Sequence, residues 1–177
     1  MKPLIRELLE YSQFVLIEGL TIDRGVEFDR LIHTLKAAAP NSLIQLMDGR
    51  GILGYDHVFF AVLNSLNARR SNRMICEDLT LEVIVYASAQ RQIKNSVGLL
   101  GVKENSKQLV LAAISGDIEE LRILKNSISE IEGLRLDDSF LKSWNRERLT
   151  TVKKMFKVTD DEFRSISLKQ VPAREVM

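Results

Sequence analysis

The chain has 177 residues, of which 45% are apolar, and its few glycines and prolines predict one globular domain over residues 1–177. Its single cysteine, Cys76, excludes an intrachain disulfide, and no apolar run reaches the ~18 residues of a membrane span, so we expect a cytosolic protein without a membrane partner. The 25 Lys and Arg against 24 Asp and Glu exclude a polycation but not a local basic patch.

Strand and helix patterns alternate in the first half of the chain. In order, the predicted elements are a strand over residues 13–20, a helix over residues 26–39, a short strand over residues 42–47, and a helix from Tyr55 to about Asn72. The turn signals Asp23-Arg24-Gly25, Pro40-Asn41 and Asp48-Gly49 separate them.

Residues 79–89 fit two structures, because Leu79, Leu81 and Val83 alternate as in a strand, whereas Leu79, Val83 and Ile84 form the buried face of a helix. Further along the chain, we predict a short helix that ends in a left-handed cap at Gly101, followed by a strand over residues 108–114. A helix is predicted from the N-cap Asp117 to about Ser127. Two or three short helices are predicted after Asp137, one of them with a capping box at Thr159 and Glu162. We therefore predict an α/β or α+β domain with a small mixed or antiparallel sheet, several packed helices and a helical C-terminal third.

No grouping of residues that could perform catalysis is recognisable. His33 lies inside a predicted helix and His57 opens another, so we interpret both as packing or surface residues. The glycines of residues 49–54 depart from the dinucleotide-binding spacing, which favours a tight strand–helix connection. The acids that follow Cys76 raise the pKa expected for its thiol. We predict no catalytic residues, cofactor or metal, and keep a small ligand-binding protein or enzyme built on Asp48–Asp56 as an alternative.

Two stretches of the sequence carry cations and no acid. They lie between Asp56 and Glu77 and between Glu82 and Glu104. Because both flank residues 79–87, we expect them to form one cationic groove, which suits single-stranded nucleic acid, although aromatic platforms are absent. A solubilising surface is the alternative. The candidate RNA-binding residues are Asn67, Arg69, Arg70, Arg73, Arg91, Gln92 and Lys94, with Arg69 and Arg73 on one face if their helix extends that far.

Several motifs, in order along about residues 10–170, resemble those of one known family. They are NARRSN at 67–72, LEVIVYAS at 81–88, Arg91-Gln92-Ile93, Leu100-Gly101-Val102, Lys107-Gln108-Leu109-Val110 and MFKVTDDE at 155–162. The ordered set resembles the kinase-binding subunit of the KEOPS complex, also called the PRPK-binding protein (TPRKB) family. Residues 87–90 and Pro172 depart from the family's pattern. The resemblance favours a helix for residues 79–87.

The resemblance implies a function in tRNA modification. KEOPS makes threonylcarbamoyladenosine beside the anticodon of tRNAs that read codons beginning with A. A sugar-kinase-like transferase subunit performs the catalysis, and a RIO-like kinase/ATPase subunit hydrolyses ATP. The subunit that this chain resembles is non-catalytic, docks on the kinase, and recruits tRNA by its 3′ CCA end. The resemblance also implies an archaeal or eukaryotic source, of which we favour the archaeal.

Apolar residues near the C-terminus are the predicted kinase interface. A chain end of this kind either completes the core or covers a partner, and the resemblance places the kinase contact there. The interface residues are Phe163, Ile166, Leu168, Val171 and Val176. For Phe163 and Ile166, packing on the chain's own core is the competing interpretation. A scaffold that contacts only protein is the remaining alternative for the whole chain.

Overall fold

An antiparallel sheet lies at the centre of the structure, a computed structural model that describes residues 5–23, 26–143 and 145–161. Within these residues the strands are β1 (Ile5–Leu8), β2 (Gln13–Ile22), β3 (Leu43–Asp48), β4 (Gln108–Ser115) and β5 (Leu134–Leu136). Their order is β1-β2-β4-β3, and β5 pairs with β2 on the same edge as β1.

Helices cover both faces of this sheet. They are α1 (Phe28–Ala38), α2 (Tyr55–Arg70), α3 (Leu79–Ser88), α4 (Ile93–Leu100), α5 (Ile118–Ser129), α6 (Ser139–Lys142) and α7 (Arg146–Phe156). Two 3₁₀ turns, Leu9–Tyr11 and Gly49–Gly51, follow β1 and β3. Among the residues described, no helix is both long and apolar enough to traverse a bilayer.

The central strand β2 is buried on both faces. Val15 and Ile17 point into a core formed with α2, α3, α4, α6 and α7, whereas Leu16 and Leu20 point into a second core formed with α1 and α5. Since both faces need apolar side chains, the strand appears in the sequence as a continuous apolar run rather than an alternating one. The result is three layers, with the sheet between two layers of helices.

Residues 79–89, ambiguous in the sequence, form the helix α3. The Asp78 carboxylate caps it by accepting a hydrogen bond from the Thr80 backbone N–H at 2.7 Å. Only Tyr86 among its last residues is substantially exposed, and Val83 and Ile84 are buried against the core. Burial nearly all round explains why a helix here has the apolar content of a strand.

The predicted strands at 13–20, 42–47 and 108–114 are confirmed, as are the helices between them. Asp117 is the N-cap of α5, and its carboxylate accepts from the Glu119 backbone N–H at 2.8 Å. The predicted α+β class with a small antiparallel sheet is therefore confirmed. The turn residues Arg24 and Gly25 and the capping-box residue Glu162 lie outside the described residues.

One local prediction is wrong. Gly101 is not a left-handed cap, because its φ is −63°. It is required for close packing instead, since a Cβ atom there would lie 2.4 Å from the Val97 carbonyl oxygen. The helix α2 ends at Arg70, two residues before the end expected at about Asn72, whose φ is +53°. The short edge strands β1 and β5 were not expected from the sequence.

The loop before α6 packs on β2 at Gly19. The Gly19 N–H donates to the Asp138 carboxylate at 2.9 Å, and its carbonyl accepts from the Asp137 N–H at 2.8 Å. A Cβ atom at Gly19 would lie 2.4 Å from the Asp137 carbonyl oxygen and 3.1 Å from the Phe140 ring. Glycine at this position therefore allows α6 to cover the core.

We expect Gly19→Ala to lower the free energy of unfolding by about 2–4 kcal/mol, because the clash is with backbone that must move. The matched control is Gly98→Ala in α4, where a Cβ atom meets nothing within 4 Å. Gly98→Ala should raise the free energy of unfolding by up to about 1 kcal/mol, since alanine is the better helix former. Urea denaturation of both variants measures the difference, and equal stability would contradict the packing described for Gly19.

Candidate nucleic-acid interface

The predicted RNA-binding residues lie near the two ends of the helix pair α2 and α3. In the first turn of α2, His57 Nε2 lies 2.8 Å from the carbonyl oxygen of Ala87, in the last turn of α3. At the other end, the Glu82 carboxylate of α3 accepts hydrogen bonds from the backbone N–H groups of Ile75 and Cys76, in the loop that follows α2. The two helices therefore run antiparallel, and the ten residues of α3 span about 15 Å.

The structure does not form the single groove expected from the sequence. Arg69, Arg70 and Arg73 lie at or just beyond the C-terminus of α2. We call these three residues, together with Asn67, the α2 end. Arg91, Gln92 and Lys94 lie beyond the opposite end of α3, and we call them the α3–α4 turn. All seven side chains are exposed. The two sets flank residues 79–87, as expected, but about 15 Å apart.

The helix α2 stops before Arg73, so Arg69 and Arg73 do not share a helical face. The Arg73 N–H donates to the Ala68 carbonyl oxygen at 2.8 Å, and the intervening Asn72 has a left-handed backbone. This turn ends the helix and redirects the chain toward α3. The condition for a shared face, a helix that extends as far as Arg73, is therefore not met.

An aromatic residue that sequence reasoning missed lies at the α2 end. The Tyr11 hydroxyl donates to the Asn67 side-chain oxygen, and the Arg70 guanidinium carbon lies 5.6 Å from the Tyr11 ring centroid. Tyr11 reaches this position because the β1–β2 hairpin brings it beside α2, a pairing across 56 residues of sequence. Recognising the β1–β2 hairpin in the sequence would have been the one way to predict that Tyr11 lies beside α2. Asn67 and Arg70 are thus held in place before any ligand binds.

The α3–α4 turn is formed by local hydrogen bonds. Asn95 donates from its side-chain amide to the Gln92 side-chain oxygen at 3.0 Å, and the Ser96 hydroxyl donates to the Gln92 carbonyl at 3.0 Å. Ala89 ends α3 with a left-handed backbone, φ +52°. Arg91 and Lys94 project from this turn into solvent. The exposed apolar side chains nearby in the sequence are Tyr86, Ile93 and Val97.

Cys76 lies in the loop between α2 and α3 and is buried. Burial raises the pKa of its thiol to about 11, and the hydrogen bond and charge of Glu82 and the charge of Asp78 add to the effect. The expected direction is confirmed, although burial is the larger cause and Glu82 is the acid in contact. A thiol with this pKa is almost fully protonated at neutral pH and is a poor nucleophile.

The Asp48–Asp56 connection, the alternative ligand site, is held by contacts with the chain's own side chains, and its Arg50 borders a cavity of about 470 Å³ that Phe140 and Arg148 also line. Asp48 is buried and accepts hydrogen bonds from the Arg50 guanidinium at 2.6 Å and the Ser106 hydroxyl at 2.9 Å. Burial alone would raise the pKa of Asp48, but the hydrogen bonds from Arg50 and Ser106 lower it below its usual value. Gly51 packs against Leu100 and Met155. These contacts stabilise a tight connection, as the glycine spacing indicates.

Arg148 in α7 ties this connection to the rest of the fold. Its Nε donates to the Ile52 carbonyl at 3.0 Å, another of its nitrogens donates to the Gly49 carbonyl, and its guanidinium carbon lies 4.7 Å from the Phe140 ring centroid. Burial lowers the pKa of Arg148, and the Asp48 charge opposes this shift. We assign Arg148 to the structure of the fold rather than to ligand binding.

His57 is a packing residue, whereas His33 is exposed on α1. The Nδ1 atom of His57 accepts a hydrogen bond from the Leu53 N–H at 3.2 Å. The His57 ring lies edge-on to the Phe156 ring, with the ring centroids 6.0 Å apart. Burial lowers the pKa of His57, and the hydrogen bond to the Ala87 carbonyl opposes this shift. Across residues 5–23, 26–143 and 145–161, no three His, Cys, Asp or Glu side chains are placed to hold a metal ion.

The residues predicted to bind the kinase, Phe163, Ile166, Leu168, Val171 and Val176, lie outside the described residues. The described chain ends at Asp161, shortly after α7.

Comparison with known proteins gives two matches. A family model described as "Kinase binding protein CGI-121" matches residues 27–173, a range that contains the α2 end, the α3–α4 turn and α7. Over 97 residues, 55% of this chain, the sequence is 29% identical to a protein of Methanocaldococcus jannaschii described as "Regulatory protein Cgi121". The aligned part covers 61% of that protein's length.

We expect His57 to make the stability of the fold depend on pH below about 6.5. The unfolded chain takes up a proton on this ring before the folded chain does, because the folded pKa is lowered, so stability falls as pH falls from the unfolded pKa toward the folded one. Urea denaturation between about pH 7.5 and about pH 5.5 should show a smaller loss for His57→Gln than for the unaltered protein.

Comparing His57→Gln with the unaltered protein removes the competing effect of a second titrating group, Glu18. Burial raises the pKa of Glu18 to about 7, with Lys125 Nζ 2.7 Å away opposing the shift, so Glu18 stabilises the fold as pH falls over the same range. Both proteins contain Glu18, and its contribution cancels in the difference. An equal pH dependence in the two proteins would contradict the role given to His57.

Proposed function

The chain belongs to the CGI-121 family of kinase-binding proteins, and we propose that it is a non-catalytic subunit of a KEOPS complex. In this proposal it docks on the RIO-like kinase/ATPase subunit, recruits tRNA by its 3′ CCA end, and thereby serves the sugar-kinase-like transferase subunit indirectly. The observation that carries the proposal is the family match over residues 27–173. The cytosol is the compartment in which we expect this function.

The described side chains with catalytic potential support a non-catalytic function. The Cys76 thiol has a raised pKa, His57 of α2 packs against Ala87 of α3 and Phe156 of α7, and Asp48 is paired with Arg50. Each of these groups already has a structural partner, whereas the exposed polar groups of the α2 end and the α3–α4 turn are cations and amides. Such groups suit binding of a phosphate backbone better than bond-breaking chemistry.

The separation of the two sets limits how RNA can bind. A single-stranded 3′ end reaches both sets only if it extends along α2 and α3 for about 15 Å. Arg70 is the weaker candidate for a phosphate contact, because its guanidinium lies over the Tyr11 ring. Asn67 and Gln92 are the amides available to contact base edges in this arrangement.

We expect Arg69→Ala with Arg73→Ala, and separately Arg91→Ala with Lys94→Ala, to weaken binding of a tRNA that ends in CCA. Each phosphate contact removed should reduce the slope of log affinity against log salt by about 0.7, the value for single strands. Filter binding at several salt concentrations measures this. The control, Arg30→Gln with Lys36→Gln, removes two exposed cations from α1, on the opposite face of the sheet.

The same experiment addresses the protein-only alternative. A scaffold that contacts only protein would show no specific tRNA binding, and neither pair of substitutions would alter the affinity or the salt slope. Binding that requires only one of the two sets would restrict the RNA site to that end of α3.

We expect Val171→Arg to abolish co-purification with the kinase subunit of the same organism. A charge placed in an apolar interface must be desolvated without a partner, which costs several kcal/mol. The control is Gln170→Arg, which introduces the same charge at a neighbouring polar position. Unchanged co-purification of Val171→Arg would refute the proposed interface, and loss of its thermal transition would assign Val171 to the core.

A further inference from the structure

A cavity of about 350 Å³ lies between the β1–β2 hairpin and the C-terminal part of α2. Three lining residues come from the hairpin and three from the helix: Glu10, Tyr11, Gln13, Leu66, Arg69 and Arg70. The hairpin turn is closed by a hydrogen bond from the Ser12 N–H to the Leu9 carbonyl at 3.2 Å. Pockets that hold small ligands measure roughly 300–1,000 Å³, so this cavity has room for one small planar group.

One wall of the cavity is a planar cation held over an aromatic ring. The Arg70 guanidinium carbon lies 5.6 Å from the Tyr11 ring centroid, and the Tyr11 hydroxyl donates to the Asn67 side-chain oxygen. These contacts restrict Arg70 and Tyr11 before a ligand binds. Unpaired nucleic-acid bases stack on guanidinium planes as well as on aromatic rings. The wall is therefore a preformed stacking surface for one base.

The other charged groups of the cavity have opposite signs and do not neutralise each other. Glu10 and Arg69 are both exposed, and within the part of the chain that the structure describes neither side chain forms an ion pair or a hydrogen bond. Arg69 can only donate hydrogen bonds, and an ionised Glu10 can only accept them. A nucleotide with cytosine or adenine complements both groups, since its phosphate accepts hydrogen bonds and the exocyclic amino group of its base donates them.

We propose that this cavity holds one unpaired base with an exocyclic amino group, cytosine or adenine, at the 3′ end of the bound RNA. The inference rests on the proposed function and adds Glu10 to it as the residue that reads the base. Arg70 stacks on the base, Glu10 accepts a hydrogen bond from the amino group, and Arg69 contacts the adjoining phosphate. Uracil and hypoxanthine carry a carbonyl oxygen in place of that amino group, so the carboxylate repels them.

The test compares synthetic RNA hairpins that copy a tRNA acceptor stem and end in CCA, UCA, CUA or CCI, where I is inosine. In the unaltered protein, we expect one of the three replacements to weaken binding by about tenfold, as for one lost base-edge contact. Glu10→Gln should bind that end and CCA with nearly equal affinity, because a side-chain amide can donate to a carbonyl as well as accept from an amino group.

The matched control is Glu7→Gln, which removes an exposed acid from β1 of the same hairpin. This variant should keep the preference of the unaltered protein. Because the readout is the ratio of two affinities, the general gain in RNA binding from removing a negative charge cancels.

Arg70→Lys tests the stacking wall separately, since it keeps the charge and removes the plane. We expect about tenfold weaker binding of all four RNA ends. Unchanged affinity would show that Arg70 acts only as a charge and would overturn the stacking arrangement.

The outcomes separate this inference from the proposed function. Equal binding of all four ends by the unaltered protein, with binding lost when the three terminal nucleotides are removed, would overturn the inference and leave the proposed function standing. A preference that persists in Glu10→Gln, or that Glu7→Gln also loses, would overturn the role of Glu10. Absence of RNA binding by the unaltered protein would overturn the RNA part of the proposed function and this inference with it. Thermal melting of each variant confirms that the fold is intact.

Discussion

The strands β2 and β4 need apolar cover on both faces, and the positions of the helices follow from that requirement. One face is covered by α1 and α5, and the other by α2, α3 and parts of α4, α6 and α7. A buried strand without this cover would expose a row of apolar side chains, each worth roughly 1.5–3 kcal/mol of burial free energy. Because α3 lies flat in this layer and is buried nearly all round, charged residues in this part of the chain are confined to its two ends.

Polar contacts fix how the helices meet at the edges of the two cores. Arg148 donates to backbone carbonyls of the 3₁₀ turn after β3, and His57 contacts the last turn of α3. Each satisfies backbone groups that would otherwise be left without a partner at a chain reversal. Arg148 thus ties α7 to the 3₁₀ turn after β3, and the Phe156 ring packs α7 against the first turn of α2 at His57.

Local sequence patterns were sufficient to predict the helices and strands whose apolar residues follow a clear run or period. They were insufficient to predict contacts between segments that are distant in the sequence. The apolar run of β2, the helical spacing of α1 and α2, and the Asp117 cap were all recognisable. The edge strands β1 and β5 were not, because three or four residues are too few to display a period. For α3, periodicity left strand and helix open and the β-branched content favoured a strand, whereas the family resemblance favoured the helix that is observed.

The candidate site illustrates the same limit. All seven candidate residues are exposed in the structure. A pattern along the chain cannot show whether two segments flanking a helix meet on one side or lie at its two ends. Tyr11 was missed for the same reason, since it reaches Asn67 through packing across 56 residues of sequence.

The position of α7 relates the two proposed binding surfaces under the proposed function. Phe156 in the last turn of α7 and Ala87 in the last turn of α3 both contact the His57 ring, so α7 ends near the end of α3 that precedes the α3–α4 turn. Six residues lie between Phe156 and Phe163, the first residue of the proposed kinase interface. A chain segment of that length spans less than about 25 Å even when fully extended. Under the proposal, a kinase bound at Phe163 would therefore lie within that distance of Phe156, and the α3–α4 turn is the candidate RNA-binding set at that end of α3.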